Sequence, residues 1–352
     1  MKFDPRKLQD LVTEVFLAVG CGETEAECVA DHLVQANLAG HDSHGVIRVS
    51  HYVQWVNEEK VFANRTAQVV FENDIITIID GQLGFGQAIG VDAMQRGIDK
   101  CRNQGISAVA VRNAGHMGRI GHWAEIAADA GLVSLHFVNT SGLGMLVAPV
   151  GGISRRLSAN PVAVGIPVDG GPNIIFDIST SSVAEGKLKV AYNKGVTVPD
   201  GCIIDPEGNP TNDPAVFYGL PRGAILPFGG HKGYGLGIVA EILAGALTGG
   251  GCSKPGIDRL EQGMLAMLLD PKAFQVEQFF GPEVRQYIDW VKSSDKVSPD
   301  ADILMPGEIE HRNRQQRMAE GIDLDDTTWK QLTDAARSLE VNEASIQSAN
   351  GR

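Results

Sequence analysis

The chain has 352 residues, 43% of them hydrophobic and 21% charged, with a formal net charge of −13. This is an ordinary globular composition, long enough for one large domain or two to three smaller ones. The negative balance disfavours a nucleic-acid partner, because nothing offsets phosphate repulsion, and no uninterrupted apolar run is long enough to span a bilayer.

Met1 to Pro5 show no apolar leader, and Cys21, Cys28, Cys101, Cys202 and Cys252 are scattered without CxxC spacing. Both features predict a cytoplasmic protein with reduced thiols and no zinc site. Lys7 to Val19 carry apolar residues at helical spacing. Thr24-Glu25-Ala26-Glu27 is a capping-box pattern that opens a second helix, closed by Gly40. A third helix is predicted from Ser43 as N-cap, with Val46, Val49 and Tyr52 as its apolar stripe. Ala67 to Phe71 and Ile75 to Ile79 read as strands joined by the turn Glu72-Asn73-Asp74. Gln87 to Arg102 reads as a helix, Ile106 to Val111 as a buried strand, Arg119 to Ala130 as a helix and Leu132 to Val138 as a strand. Such β-α-β-α-β alternation predicts an α/β core. Val162 to Ile166 and Ile174 to Asp177 are short strands joined by Gly/Pro turns, so the sheet is expected to be mixed. Tyr234 to Leu247 is an apolar helix. Another helix starts near Asp326 and ends in a frayed polar tail through Gly351 and Arg352.

Asp42-Ser43-His44-Gly45-Val46-Ile47-Arg48 is the segment richest in chemistry. On one helix, His44 and Arg48 at i and i+4 share a face. That face presents a proton carrier and a planar fork fitted to a carboxylate. A capped helix with a solvated His and Arg is the plainer reading. A Ser43–His44 hydrolase pair is disfavoured, since adjacent helical residues point about 100 degrees apart, and GxSxG is absent.

Gly84-Phe85-Gly86-Gln87-Ala88-Ile89-Gly90 is a near miss to the dinucleotide fingerprint GxGxxG. Its third glycine is one place late and no acidic residue follows at the expected strand end, so it reads as a helix start at a tight turn. Gly229-Gly230-His231-Lys232-Gly233 places a lysine and a histidine on a loop just before a helix N-terminus, which suits phosphate, but it lacks Walker A spacing. His116, between glycines at a strand end, is better placed for chemistry than His32, His51, His122 or His136, which read as structural. Asp177-Ile178-Ser179-Thr180-Ser181 ends a strand with hydroxyls that suit ribose and phosphate oxygens. No HxxxH or HExxH pair occurs, and no metal is expected.

Several segments in order resemble the type-2 malate/L-lactate dehydrogenase family, which includes L-sulfolactate and ureidoglycolate dehydrogenases. They are Ser43-His44-Gly45 with Arg48, His116-Met117-Gly118, Asn160-Pro161, Asp177 to Ser181 with Gly186-Lys187, Pro210 to Pro214, Gly230 to Gly235, and Leu304-Met305-Pro306-Gly307-Glu308. Gly118-Arg119-Ile120-Gly121 and Leu226-Pro227-Phe228-Gly229 bring the chain nearest the bacterial hydroxycarboxylate dehydrogenase B subgroup. The resemblance implies a non-Rossmann α/β fold that binds NAD(P) on a large mixed, mostly antiparallel sheet, with a helical domain built from both chain ends. It implies residues 1–75 and 301–352 for the helical part, 76–300 for the sheet domain, and a homodimer.

The resemblance further implies reversible hydride transfer between nicotinamide and a 2-hydroxy or 2-oxo acid. Arg119 or Lys232 could accept a 2′-phosphate, and between the two cofactors NAD is the expectation over NADP. His44, Gly118, Arg119, Ile120, Asp177, Ile178, Ser179, Thr180, Ser181, His231, Lys232, Met305, Pro306, Gly307 and Glu308 would contact the cofactor. Arg48, with Asn160 and Lys187, would hold the substrate. His116, His44 and Ser43 form the catalytic set, and loop placement favours His116 as the proton carrier. Ala159 stands where the family has Thr, and His231 where many members have Tyr. Lys187 occupies the neighbourhood where imine-reducing members have an acid. Reduction of a cyclic ketimine such as piperideine-2-carboxylate is therefore the alternative reaction, and a non-enzymatic nucleotide-binding protein is the third reading.

Overall fold

The structure, a computed structural model, describes residues 1–350. After the short strand β1 (Lys2–Phe3), Asp4 caps α1 (Pro5–Ala18) by accepting from the N–H groups of Arg6 and Lys7. Helix α2 (Glu23–Leu38) starts one residue ahead of the expected capping box, with Gly22 in the cap position and no side-chain cap. A long-range contact sets its entry instead: Asn64 Oδ1 accepts the Gly22 N–H at 2.6 Å, and Glu25 accepts the Asn64 N–H at 2.7 Å.

The single helix expected from Ser43 is not formed. Two 3₁₀ turns, Asp42–His44 and Val46–Arg48, precede α3 (Val49–Asn57). Gly45 between them is extended, at φ −89° and ψ −153°. The cause is Asn37 on α2. Its Oδ1 accepts the Val46 N–H at 2.8 Å while its amide nitrogen donates to Asp42 at 2.7 Å. A Cβ at position 45 would lie 2.1 Å from that Oδ1, so only glycine lets the chain pass this close.

The main sheet holds β2 (Gln68–Glu72), β3 (Ile76–Asp80), β4 (Ile106–Ala114), β5 (Val133–Gly142), β6 (Val162–Ile166), β7 (Ile174–Ile178) and β11 (Leu260–Leu269), in the order β2-β3-β4-β11-β5-β6-β7. Only β3 and β4 run parallel; the other pairings are antiparallel. Helix α4 (Gly86–Gln104) is the crossover between β3 and β4. Together with α5 (Gly121–Asp129) it buries one core, with Ile89, Met94, Val111, Trp123, Val138 and Leu268 at its centre. The sheet is thus mixed and mostly antiparallel, as expected. Its central strand β11 was not foreseen.

Beyond β7 lie α6 (Glu185–Lys194), a small sheet of β8 (Ile203–Ile204), β9 (Pro210–Thr211) and β10 (Ala224–Ile225), and the one-turn helix α7 (Ala215–Tyr218). Helix α8 (His231–Glu241) runs into a π-turn, Ile242–Ala246. It begins earlier than expected, so His231 and Lys232 sit in its first turn rather than on a preceding loop. Helices α9 (Glu277–Lys292) and α10 (Glu308–Glu320) follow β11.

The chain then returns to its beginning. Strand β12 (Ile322–Asp323) pairs with β1. Helices α11 (Asp326–Ser338) and α12 (Glu343–Asn350) join α1, α2 and α3 in a second core of Leu8, Phe16, Leu33, Tyr52, Leu332 and Ile346. The tail expected to fray is helical to Asn350, with Ile346 and Ala349 buried; Gly351 and Arg352 lie outside the described residues. No helix among the described residues is long and apolar enough to cross a membrane.

Candidate active site

Strand β4 delivers Gly115 and His116 to its C-terminal end, beside the N-terminus of α4 and against α3. The Tyr52 hydroxyl lies 2.7 Å from His116 Nδ1, and the Gly118 N–H donates to the same nitrogen at 3.2 Å. Burial, and secondly the charge of Arg48, push the His116 pKa down to about 3. The ring is neutral at physiological pH.

The 3₁₀ turn carries His44 to the other side. Its ring stacks on that of His116, with centroids 5.7 Å apart and planes 19° from parallel. Burial, then Arg48 and His116, hold its pKa well below the usual histidine value. Ser43 Oγ lies 3.1 Å from His44 Nδ1. The contact that the helical angle disfavours is made all the same, between neighbouring side chains on the short turn Asp42–His44. Arg48 Nε donates to the Ser43 carbonyl at 2.7 Å. Its two terminal nitrogens make no hydrogen bond among the described residues, and they form a free planar fork. Gly186, in the first turn of α6, presses on Ser43, and Lys187 beside it is exposed.

The segments singled out for a dinucleotide lie along β7 and just beyond its C-terminal end. The Gly121 N–H donates to Asp177 at 2.8 Å, which ties the start of α5 to this strand. Burial raises the Asp177 pKa against the opposing pull of Arg119. The Ile175 N–H donates to the Pro306 carbonyl at 3.0 Å and draws in Met305 to Glu308, while Glu308 accepts the Met305 N–H at 3.0 Å. The Phe228 N–H donates to the Thr180 carbonyl at 3.1 Å, so Ser179 to Ser181 lie beside the first turn of α8. His231 and Lys232 are exposed there. Arg119 is 2% exposed and pairs with Glu125, yet its Nε and Nη1 have no partner among the described residues.

Asn160 packs between β5 and α8. It is wholly buried; its amide nitrogen donates to Gly237 O at 3.1 Å and Glu241 at 2.7 Å, and its Oδ1 accepts from Thr140 at 3.3 Å. Both amide hydrogens are spent inside the protein, and none is left for a substrate. His32, His122 and His136 are buried or nearly so; His32 accepts the Arg119 N–H at 2.9 Å. Tyr52, in the apolar stripe of α3, and Gln87, at the start of α4, meet at the His116 ring. Their signal is long-range and invisible to spacing. Among the described residues no three His, Cys, Asp or Glu side chains are placed to hold a metal ion.

Residues 3–333 match the family model described as malate/L-lactate dehydrogenase. The chain is 40% identical to hydroxycarboxylate dehydrogenase B of Escherichia coli K12, covering 98% of this chain and 96% of that one. The sulfolactate dehydrogenase of Methanocaldococcus jannaschii superposes with a TM-score of 0.89 at 32% identity, covering 100% of both chains. The delta1-piperideine-2-carboxylate reductase of Pseudomonas syringae superposes with a TM-score of 0.85 at 28% identity, covering 96% of this chain and 100% of that one.

Proposed function

The chain belongs to the malate/L-lactate dehydrogenase family, and we propose that it moves a hydride reversibly between a nicotinamide cofactor and C2 of a 2-hydroxy or 2-oxo acid. One observation carries this reading: the unpaired fork of Arg48 stands beside two stacked, neutral imidazoles. Arg48 grips the substrate carboxylate through paired charge-assisted hydrogen bonds. The imidazoles face the C2 oxygen, and between them supply the proton and a second hydrogen bond. Relatives named for hydroxycarboxylate and sulfolactate support an acid as substrate.

The residues around β7 fit a dinucleotide by the chemistry of their donors. The first-turn amides of α8 with Lys232 suit a diphosphate, the hydroxyls of Ser179 to Ser181 suit ribose, and the unpartnered Arg119 nitrogens await an acceptor. When bound, the cofactor supplies or accepts the hydride. Gly118, Ile120, Ile178 and the Met305–Glu308 turn would line it. NAD is favoured, because Lys232, the exposed cation of this set, is taken up by the diphosphate.

The same reading includes a cytoplasmic homodimer. The five free cysteines support a reducing compartment. The exposed Phe279, Tyr287 and Trp290 of α9 support a covering second copy. Two separate cores support a domain division near residues 75 and 300.

A second reading, reduction of a cyclic ketimine carboxylate, is favoured by likeness to the piperideine-2-carboxylate reductase and by the Ser43–His44 contact. The exposed Lys187 weighs against it. Loss of reduced-cofactor absorbance, with NADH and NADPH in parallel over 2-oxo acids and cyclic imines, tests both. Turnover of open-chain 2-oxo acids is expected; activity on imines alone would reassign the reaction within the same family.

A further inference from the structure

The glycine segment Gly84-Phe85-Gly86-Gln87 plays no part in the cofactor reading. It folds against the His116 loop. Gly115 donates its N–H to the Gly84 carbonyl at 2.8 Å. A Cβ on Gly86 would lie 2.5 Å from the His116 carbonyl oxygen and 2.6 Å from that of Gly115. Only a bare Cα lets α4 begin this close to the loop. The next residue, Gln87, is thereby buried beside Tyr52 and donates its amide nitrogen to the Tyr52 hydroxyl at 3.0 Å.

The protons can be counted. A backbone N–H only donates, so the Gly118 contact requires a lone pair on His116 Nδ1. Tyr52, 2.7 Å from the same nitrogen, must then donate its single hydrogen to it. The Tyr52 oxygen is left as an acceptor, which requires the nitrogen of Gln87, not its oxygen, to face it. The donors run in one direction, from Gln87 through Tyr52 to His116. A neutral imidazole with an accepting Nδ1 carries its hydrogen on Nε2.

We propose that Gln87 and Tyr52 are positioning residues that lock His116 in its Nε2–H tautomer, making it a hydrogen-bond donor to the C2 oxygen of the substrate rather than a base. The role at C2 rests on the dehydrogenase reading above; the tautomer does not. Proton transfer falls to His44, whose Nδ1 faces the Ser43 hydroxyl. A hydroxyl both donates and accepts, so His44 can hold its proton on either nitrogen. The groups facing His116 are Arg48, His44, Tyr52 and Gln87, with His32 further off; no carboxylate hydrogen-bonds its ring among the described residues. Nothing there stabilises an imidazolium.

The test is ¹⁵N NMR of the ligand-free full chain labelled in histidine, with His116 assigned by its loss in His116→Gln. Nε2 protonated and Nδ1 bare from pH 5 to 8 is expected; a protonated Nδ1, or titration near the ordinary histidine value, overturns the lock. Gln87→Glu offers Tyr52 an acceptor, so the tautomer should shift toward Nδ1–H. Tyr52→Phe keeps the ring packed on Phe16, Trp55 and Phe85, and should let the tautomers mix and lower kcat about tenfold at unchanged KM. A tautomer unmoved by both substitutions would remove Gln87 and Tyr52 from the role. Because the spectrum needs neither substrate nor cofactor, failure of the dehydrogenase reading leaves this result standing.

Discussion

His44 and His116 lie face to face, with ring centroids 5.7 Å apart, and neither is charged at neutral pH. Two imidazoliums at this spacing would repel by about 3 kcal/mol at an effective dielectric of about 20, so the pair holds at most one extra proton. Their hydrogen-bond partners differ, and so should their roles. His44→Gln is expected to lower kcat at least about 100-fold, the usual scale for a lost proton carrier. His116→Gln should cost about tenfold, since the amide can still donate a hydrogen bond. Steady-state kinetics on both variants decide the order; a larger loss at position 116 would make that ring the carrier.

Arg48 is held by one nitrogen and free by two. Its Nε bond to the Ser43 carbonyl fixes the guanidinium plane. Lysine keeps the charge but loses the fork. Arg48→Lys should raise KM for the acid by about 10- to 100-fold, the value of one charge-assisted hydrogen bond, with a smaller change in kcat. An unchanged KM would place the carboxylate grip elsewhere.

Gly86 tests whether the α4 start positions His116. Alanine there meets two carbonyl oxygens at 2.5 and 2.6 Å. Gly86→Ala should cost about 1–3 kcal/mol through overpacking and lower kcat by displacing the His116 loop. Gly235→Ala on α8 is the control: its added Cβ meets nothing within 4 Å, and helix propensity favours it by about 1 kcal/mol. Urea unfolding of both variants should move them in opposite directions.

Helices α1 and α4 and the strands β6 and β7 were legible because their apolar spacing is local; α2 was legible from a capping-box pattern that its actual cap, Gly22, does not use. Strand β11 was not. Its Met264-Leu265-Ala266-Met267-Leu268 run has no β-branched residue and favours helix by propensity; only its seat between β4 and β5 makes it a strand. The break at Gly45 was hidden for a related reason, since Asn37 on another helix decides it. Short motifs spaced along the chain gave His44, Arg48 and His116 as a set. Tyr52 and Gln87, 35 residues apart, reach His116 only through the fold.

His136 gives a test of electrostatics away from the site. It is fully buried on β5, its Nε2 lies 3.0 Å from Ser134 Oγ, and its Nδ1 has no partner. Burial pushes its pKa from 6.5 down to about 3. Above pH 6.5 the ring is neutral both folded and unfolded, and stability does not depend on it. As pH falls below 6.5 the unfolded chain takes a proton that the native state refuses, so stability drops until about pH 3, where the native ring also protonates. Between pH 7 and pH 5 this amounts to about 2 kcal/mol, from about 1.4 kcal/mol per pH unit below the ordinary value. His136→Phe removes the titration, while its own packing cost is the same at both pH values and cancels in the difference. The loss of unfolding free energy between pH 7 and pH 5, measured in urea, should therefore be about 2 kcal/mol smaller in the variant than in the parent. Equal losses would mean that the native ring accepts a proton in this range and that its burial is relieved on acidification.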